Sequence, residues 1–151
     1  MILPFVTIVC LTSCSNDVSK PNNGVFYYVF SESTDSGDPK IMYTFKQEDV
    51  NKEFLDKNSI QHLSSITVKD NVFEYFSVIY ALGVYVDSSE KYNVEYIGGS
   101  VMFYNGSPWS NYSCHFDKDV IVFESKENNA YIVYATEGYA KSKNIEIKNL
   151  K

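Results

Sequence analysis

The richest chemistry in this chain lies in Cys114-His115-Phe116-Asp117-Lys118-Asp119. On an extended strand His115, Asp117 and Asp119 share one face, and imidazole beside two carboxylates suits a divalent cation. The ligand count argues against it, because a closed metal site takes about four ligands. Asp117-Lys118-Asp119 also has turn chemistry that would splay the two acids into solvent. The segment therefore reads as a strand followed by a tight turn, and no metal or other cofactor is expected. Cys114 with a histidine would make a thiol nucleophile. Adjacent His115 points to the opposite face of a strand, however, and His62 is the only other histidine, so an inert buried thiol is the default. Glu74 and Glu95, both set among Tyr and Phe, are the acids best placed for a glycosidase-type carboxylate pair, although a chain with 19 acids supplies such pairs by chance. Asp35-Ser36-Gly37-Asp38 lacks the ligand series of a calcium-binding helix–loop–helix. None of the nucleophile-elbow, zinc-protease, phosphate-loop or dinucleotide motifs is present. The balance favours a protein that binds over one that catalyses, with a hydrolase using paired carboxylates as the alternative.

The best recognition candidate is Asn105-Gly106-Ser107-Pro108-Trp109-Ser110-Asn111-Tyr112. It places the only Trp in a turn-rich stretch between Tyr104 and Tyr112. Aromatic rings on loops give flat contact area for proteins or sugars, so Trp109, Tyr112 and Tyr104 are the expected partner-binding residues. The competing role for Trp109 is to fold back and plug one end of the core. Charge narrows the partners. The net charge is −6, and all 13 bases are Lys, which argues against nucleic acid and against bidentate Arg recognition of phosphate.

These residues need a scaffold, and composition points to strands: aromatics are 16% of the chain, with 13 Tyr and 10 Phe. Strands are expected at Gly24–Ser31, at 41–45, briefly at 66–68, and at 92–97 and 100–104 across Gly98-Gly99, a hairpin signal. Further strands are expected at 112–116, then 120–125 and 130–136 across 126–129, with Glu137-Gly138 closing the last, and finally at 144–150. Val50, Phe54 and Leu55 predict a short helix within 48–57. Val72, Phe73, Phe76, Ile79 and Tyr80 recur at steps of three and four between a capping Asp70 or Asn71 and a stopping Gly83, which predicts a second helix. A long buried strand is the competing reading of that run. The expected fold is α+β but mainly β: an antiparallel sheet with one or two packed helices, or alternatively a small β-barrel.

The N-terminus adds an address. Residues 2–12 form an apolar run of signal-peptide length, too short to span a membrane, and end in Leu11-Thr12-Ser13-Cys14. This resembles the lipobox of bacterial lipoproteins. The resemblance implies lipid transfer to the Cys14 sulfur, cleavage after Ser13 and stable anchoring by more than one acyl chain. The chain departs from the pattern in having no Lys or Arg before the apolar run and a Pro at position 4. Ser15, not Asp, follows the cysteine, which by the same resemblance favours the outer membrane. The expected organisation is a signal peptide (1–13), a lipidated polar tether (14–23) and one globular domain (24–151). Cys114 then remains alone in the mature chain, so no disulfide framework forms. Residues 130–140 (AYIVYATEGYA) are similar to the aromatic strand ending in Thr/Ser-Lys-Gly of lysozyme-inhibitor lipoproteins. Thr136 and Gly138 match, whereas Glu137 stands where that family has its functional Lys. Together these features imply a cell-envelope lipoprotein that binds a protein or glycan partner, in its sharpest form an inhibitor or immunity protein. A structural envelope protein is a third expectation.

Overall fold

The computed structural model describes residues 20–31 and 40–151. The expected signal segment, Cys14, the first part of the tether and the acidic 32–39 loop lie outside the described residues. In chain order the elements are β1 (Gly24–Ser31), β2 (Lys40–Thr44), a 3-10 turn (Gln47–Asp49), α1 (Lys52–Asn58), β3 (His62–Lys69), β4 (Val72–Ala81) and β5 (Val84–Ile97). Then follow β6 (Ser100–Phe103), β7 (Tyr112–Asp117), β8 (Val120–Ser125), β9 (Tyr131–Ala135), α2 (Glu137–Ser142) and β10 (Glu146–Asn149).

Eight of the strands, β1-β3-β4-β5-β6-β7-β8-β9, form a closed antiparallel barrel. Tyr27 opposite Ala135 and Tyr28 opposite Tyr134 close it between β1 and β9. This is the barrel that composition left as an alternative to an open sheet, with the two helices on its outside. Beyond the closure β1 peels away. Its residues 29–31 pair with β2, and β10 lies parallel to β2, Glu146 opposite Ile41 through Asn149 opposite Thr44.

Alternation along the strands sorts side chains to two faces. Phe26, Ile66, Val68, Phe73, Val94, Tyr96, Val101, Cys114, Ile121, Phe123 and Tyr134 fill the interior. The outer face of β3 and β4 is also apolar: Leu63, Phe76 and Val78 meet Phe54 and Leu55 of α1. Ala140 of α2 packs with Val29, Met42 and Ala135. β3 is therefore covered on both sides, which is why Ser64 and Ser65 are both buried. Inside, the Ser64 and Tyr134 hydroxyls hydrogen-bond each other at 2.6 Å.

Four expectations need correction. Residues 72–81 are a strand, not a helix. β4 pairs along its length with β3 (His62 opposite Ile79 to Lys69 opposite Val72) and with β5 (Val72 opposite Asn93 to Ala81 opposite Val84). Its apolar residues satisfied a helical spacing because both strand faces are covered. The expected cap and stop are turn residues instead: Asp70 has φ +52°, and Leu82 (φ +52°) and Gly83 (φ +77°) form the two-residue reversal into β5. Glu137-Gly138 does not close a strand but opens α2, capped by the Thr136 hydroxyl accepting from the Tyr139 amide. The brief strand at 66–68 is the eight-residue β3, whose serines concealed its length. The helix expected within 48–57 splits at Val50 into the 3-10 turn and α1, where the Asn51 side chain accepts from the Phe54 amide.

The buried hydroxyl pair gives a stability test. Tyr134→Phe leaves Ser64 without its partner in an apolar interior and should destabilise the fold by about 1–3 kcal/mol in urea titration. Adding Ser64→Ala should recover most of that loss. Equal stability of Tyr134→Phe and the native chain would show that the pair contributes nothing.

Candidate functional site

The barrel has two unlike ends. At the lower end, residues 20–23 stitch the turns together. The Asn22 amide donates to the Lys118 carbonyl (2.8 Å), and its side chain donates to Asp119 (2.9 Å). Asn23 exchanges bonds with Asp70, the Asp70 amide donating to its Oδ1 at 2.8 Å. Lys20 donates to Asn71, and Pro21 is buried. These four residues, which composition assigns to the tether, are thus held on the barrel.

The upper end carries the β4–β5 turn, the β6–β7 loop (104–111) and the β8–β9 loop. Here Trp109 folds inward. Its ring meets Phe123 at 4.6 Å, Tyr75 at 5.2 Å and Tyr134 at 5.9 Å between centroids, so it closes the interior from above. Tyr112 is half-buried against the same cluster. Tyr104 lies on the other face, 65% exposed, with its hydroxyl donating to Glu95 at 2.8 Å. The three expected partner-binding residues are therefore split: Trp109 and Tyr112 face inward, and Tyr104 faces outward.

The barrel wall is uneven. β6 pairs only with 94–97 of β5, so β5 overhangs it, and the upper part of the β4–β5 hairpin, flanked by β3 as far as His62 opposite Ile79, rises beyond β6 as a ribbon. One face of the ribbon packs Tyr80 and Tyr85 toward α1. The opposite face continues the inner wall of the barrel, because Ile79 and Val86 are opposite each other and in phase with buried Phe73 and half-buried Tyr75. Ile79 is 53%, Val84 60% and Val86 58% exposed, and Leu82 at the tip is fully so. These residues form the exposed apolar part of the upper end. The sequence signal for it was the unbroken apolar run 79–86, which serves one covered face and one open face.

At the ribbon's base stands His62, between the rings of Tyr28 (5.7 Å) and Phe30 (5.9 Å), with the Ser77 hydroxyl 3.5 Å from Nε2. Burial lowers its pKa, so the imidazole is neutral near pH 7. Tyr92 donates to Glu90, and burial followed by that carboxylate pushes its hydroxyl up to about 12.

The other candidates do not assemble. His115 is exposed between Ser100 and Glu124. Asp119 accepts from Asn22 and Thr136. Among the described residues no three metal-ligating groups come together. Cys114 lies in the core away from His62, and burial pushes its thiol far up, the reverse of an activated nucleophile. Glu74 bonds Lys91 (2.9 Å) and Lys69 (3.0 Å), which hold its pKa down where a general acid needs it raised. Glu95 points outward with Tyr104. An open cleft of about 380 Å³ lies beside His62, lined by Phe30, Tyr43 and Gln61 among others, and among the described residues no carboxylate lines it. No protein-family model, curated protein or solved structure matches the chain.

Two measurements check this geometry. Trp109→Ala should cost roughly 2–3 kcal/mol, less than a fully buried ring because Trp109 is only partly buried, whereas Leu82→Ser should leave the melting temperature unchanged. His62 titrates below its unfolded value near 6.5, so the unfolded chain binds the extra proton first. Stability should be constant above that pH and fall as pH drops below it. His62→Gln should flatten the profile over that window in a pH series of thermal melts.

Proposed function

We propose that this chain is a bacterial envelope lipoprotein, anchored through Cys14 and carrying a non-enzymatic binding barrel that takes a protein partner at its upper end. The observation that carries the reading is the placement of the two ends. The chain enters at the lower end through residues 20–23, and the apolar ribbon face with Ile79, Leu82, Val84 and Val86 lies at the other. An anchor before residue 20 holds the stitched end toward the membrane and the ribbon away from it. An apolar face without a deep cleft favours a protein surface over a sugar, which needs hydrogen-bonding groups converging on it. Tyr104 stands near the same end and supplies an exposed ring. Trp109 and Tyr112 act as support beneath the surface. The hydrolase alternative loses ground because Glu74 is tied to two lysines and Glu95 points elsewhere. Ser15 after Cys14 favours the outer membrane as the site of that anchor.

The reading is tested in cells. Labelled palmitate should enter the native chain and not Cys14→Ala. A photo-crosslinking side chain at position 82 should give a discrete adduct with another protein, and the same group at position 118, on the stitched end, should not. An adduct from position 118 alone, or palmitate-independent membrane release of the native chain, would overturn it.

A further inference from the structure

The edge of the ribbon holds more than its face. Hydrogen bonds fix which backbone groups point where: the Val94 amide donates toward β4, to Asn71, while the Asn93 carbonyl accepts on the other side, from the Tyr104 amide. Alternation along a strand then sends the N–H and C=O of Tyr85, Asp87, Ser89 and Lys91 away from β4. β6 covers only 94–97, so among the described residues no strand takes these groups. An edge of this length is a template for another strand.

We propose that the occupant is the same edge of a second copy, paired antiparallel about a two-fold axis at Ser89. The register follows from geometry and charge. Hydrogen-bonding groups must face each other, so odd-numbered residues pair with odd-numbered ones. Of the registers that remain, centring on Asp87 sets it against itself, and centring on Glu90 does the same to that acid. Centring on Ser88 puts Val86 opposite Glu90 and leaves both Asp87 and Lys91 without an opposite charge. Centring on Ser89 sets Asp87 opposite Lys91 of the second copy, twice by symmetry, and Val86 opposite Tyr92 on the inner face, also twice. Opposite charges and aromatic–β-branched pairs are the favourable cross-strand combinations. Asp87, Ser89 and Lys91 are all exposed. Lys91 already contacts Glu74 at 2.9 Å, and its side chain remains 73% exposed. About six main-chain hydrogen bonds form across the axis. Past Val86 each strand meets the start of the other copy's β6–β7 loop, which brings apolar Leu82 and Val84 beside exposed Tyr104. The pairing inverts one copy relative to the other, so it suits copies presented from facing surfaces or copies free of an anchor, and it stands whether or not Cys14 carries lipid.

Sedimentation of the full-length chain in detergent decides it. The native chain should dimerise in the micromolar range. Asp87→Lys and Lys91→Asp should each weaken dimerisation by about tenfold to a hundredfold, since both symmetry-related pairs become repulsive, and the double exchange Asp87→Lys/Lys91→Asp should restore it. Ser89→Pro removes an amide that faces the free edge, not β4, and should abolish dimerisation with the circular dichroism spectrum intact. A native chain that stays monomeric through the high-micromolar range, or a double exchange no better than the single ones, would overturn the proposal.

Discussion

A closed eight-stranded barrel encloses a space just wide enough for side chains, and that space must be filled. In this chain rings fill it. Phe73, Phe103 and Tyr96 pack in the lower and middle layers, and Phe123, Tyr134 and Trp109 pack above them. Most of the other features follow from that packing. Tyr134 needs a partner for its hydroxyl, so a buried serine stands on β3. The top layer needs a lid, so the β6–β7 loop turns inward. With the interior full, a large internal ligand has no room, and recognition moves to the outside and the rim. This is the physical reason for placing the candidate site on a wall and an edge instead of in a cavity.

The second layer of packing has a different cause. β1, β3 and β4 carry apolar residues on their outer faces as well, and α1, α2, β2 and β10 cover them. Small barrels commonly alternate apolar-in and polar-out, and half of this one does. On β7, Cys114 is buried and His115 exposed. The other half is a sandwich of barrel wall and cover. That asymmetry lets the β4–β5 hairpin overhang β6, because α1 supports one side of the overhang through Tyr80 and Tyr85.

The same asymmetry decided what could be read from residues alone. Strands with one wet face announced themselves: the Gly98-Gly99 hairpin and the β8–β9 hairpin fall where alternation and turn chemistry place them, and β1, though covered, fell where its dense aromatic run placed it. Strands covered on both faces lost the period-two signal. β4 then imitated a helix, and β3 shrank to its most apolar fragment. α2 was missed for a local reason, since Thr136 caps a helix only if the strand ends there, and the aromatic run before it gave no stop. Trp109, Tyr112 and Tyr104 were legible as aromatic residues near one loop, but which face each takes depends on the register of β6 and β7. The ribbon face left a trace in the apolar run 79–86, but its free edge was not legible at all, because an unpaired edge is a property of neighbouring strand lengths, which no single segment encodes.

The seam of the barrel sets the order in which it can form. Tyr27 meets Ala135 and Tyr28 meets Tyr134, contacts between distant parts of the chain, whereas β3 through β9 join successive neighbours through two-residue turns and two longer loops, 104–111 and 126–130. Nearest-neighbour hairpins close at low entropic cost, and the long loop closes last. Until β9 is in place β1 has only β3 and β2 beside it, and the ring interior stands open to water along one side. The folding rate should therefore be governed by a late, long-range event. Until that event the edges of β1 and β9 that will form the seam stand unpaired, each a template for a strand of another chain.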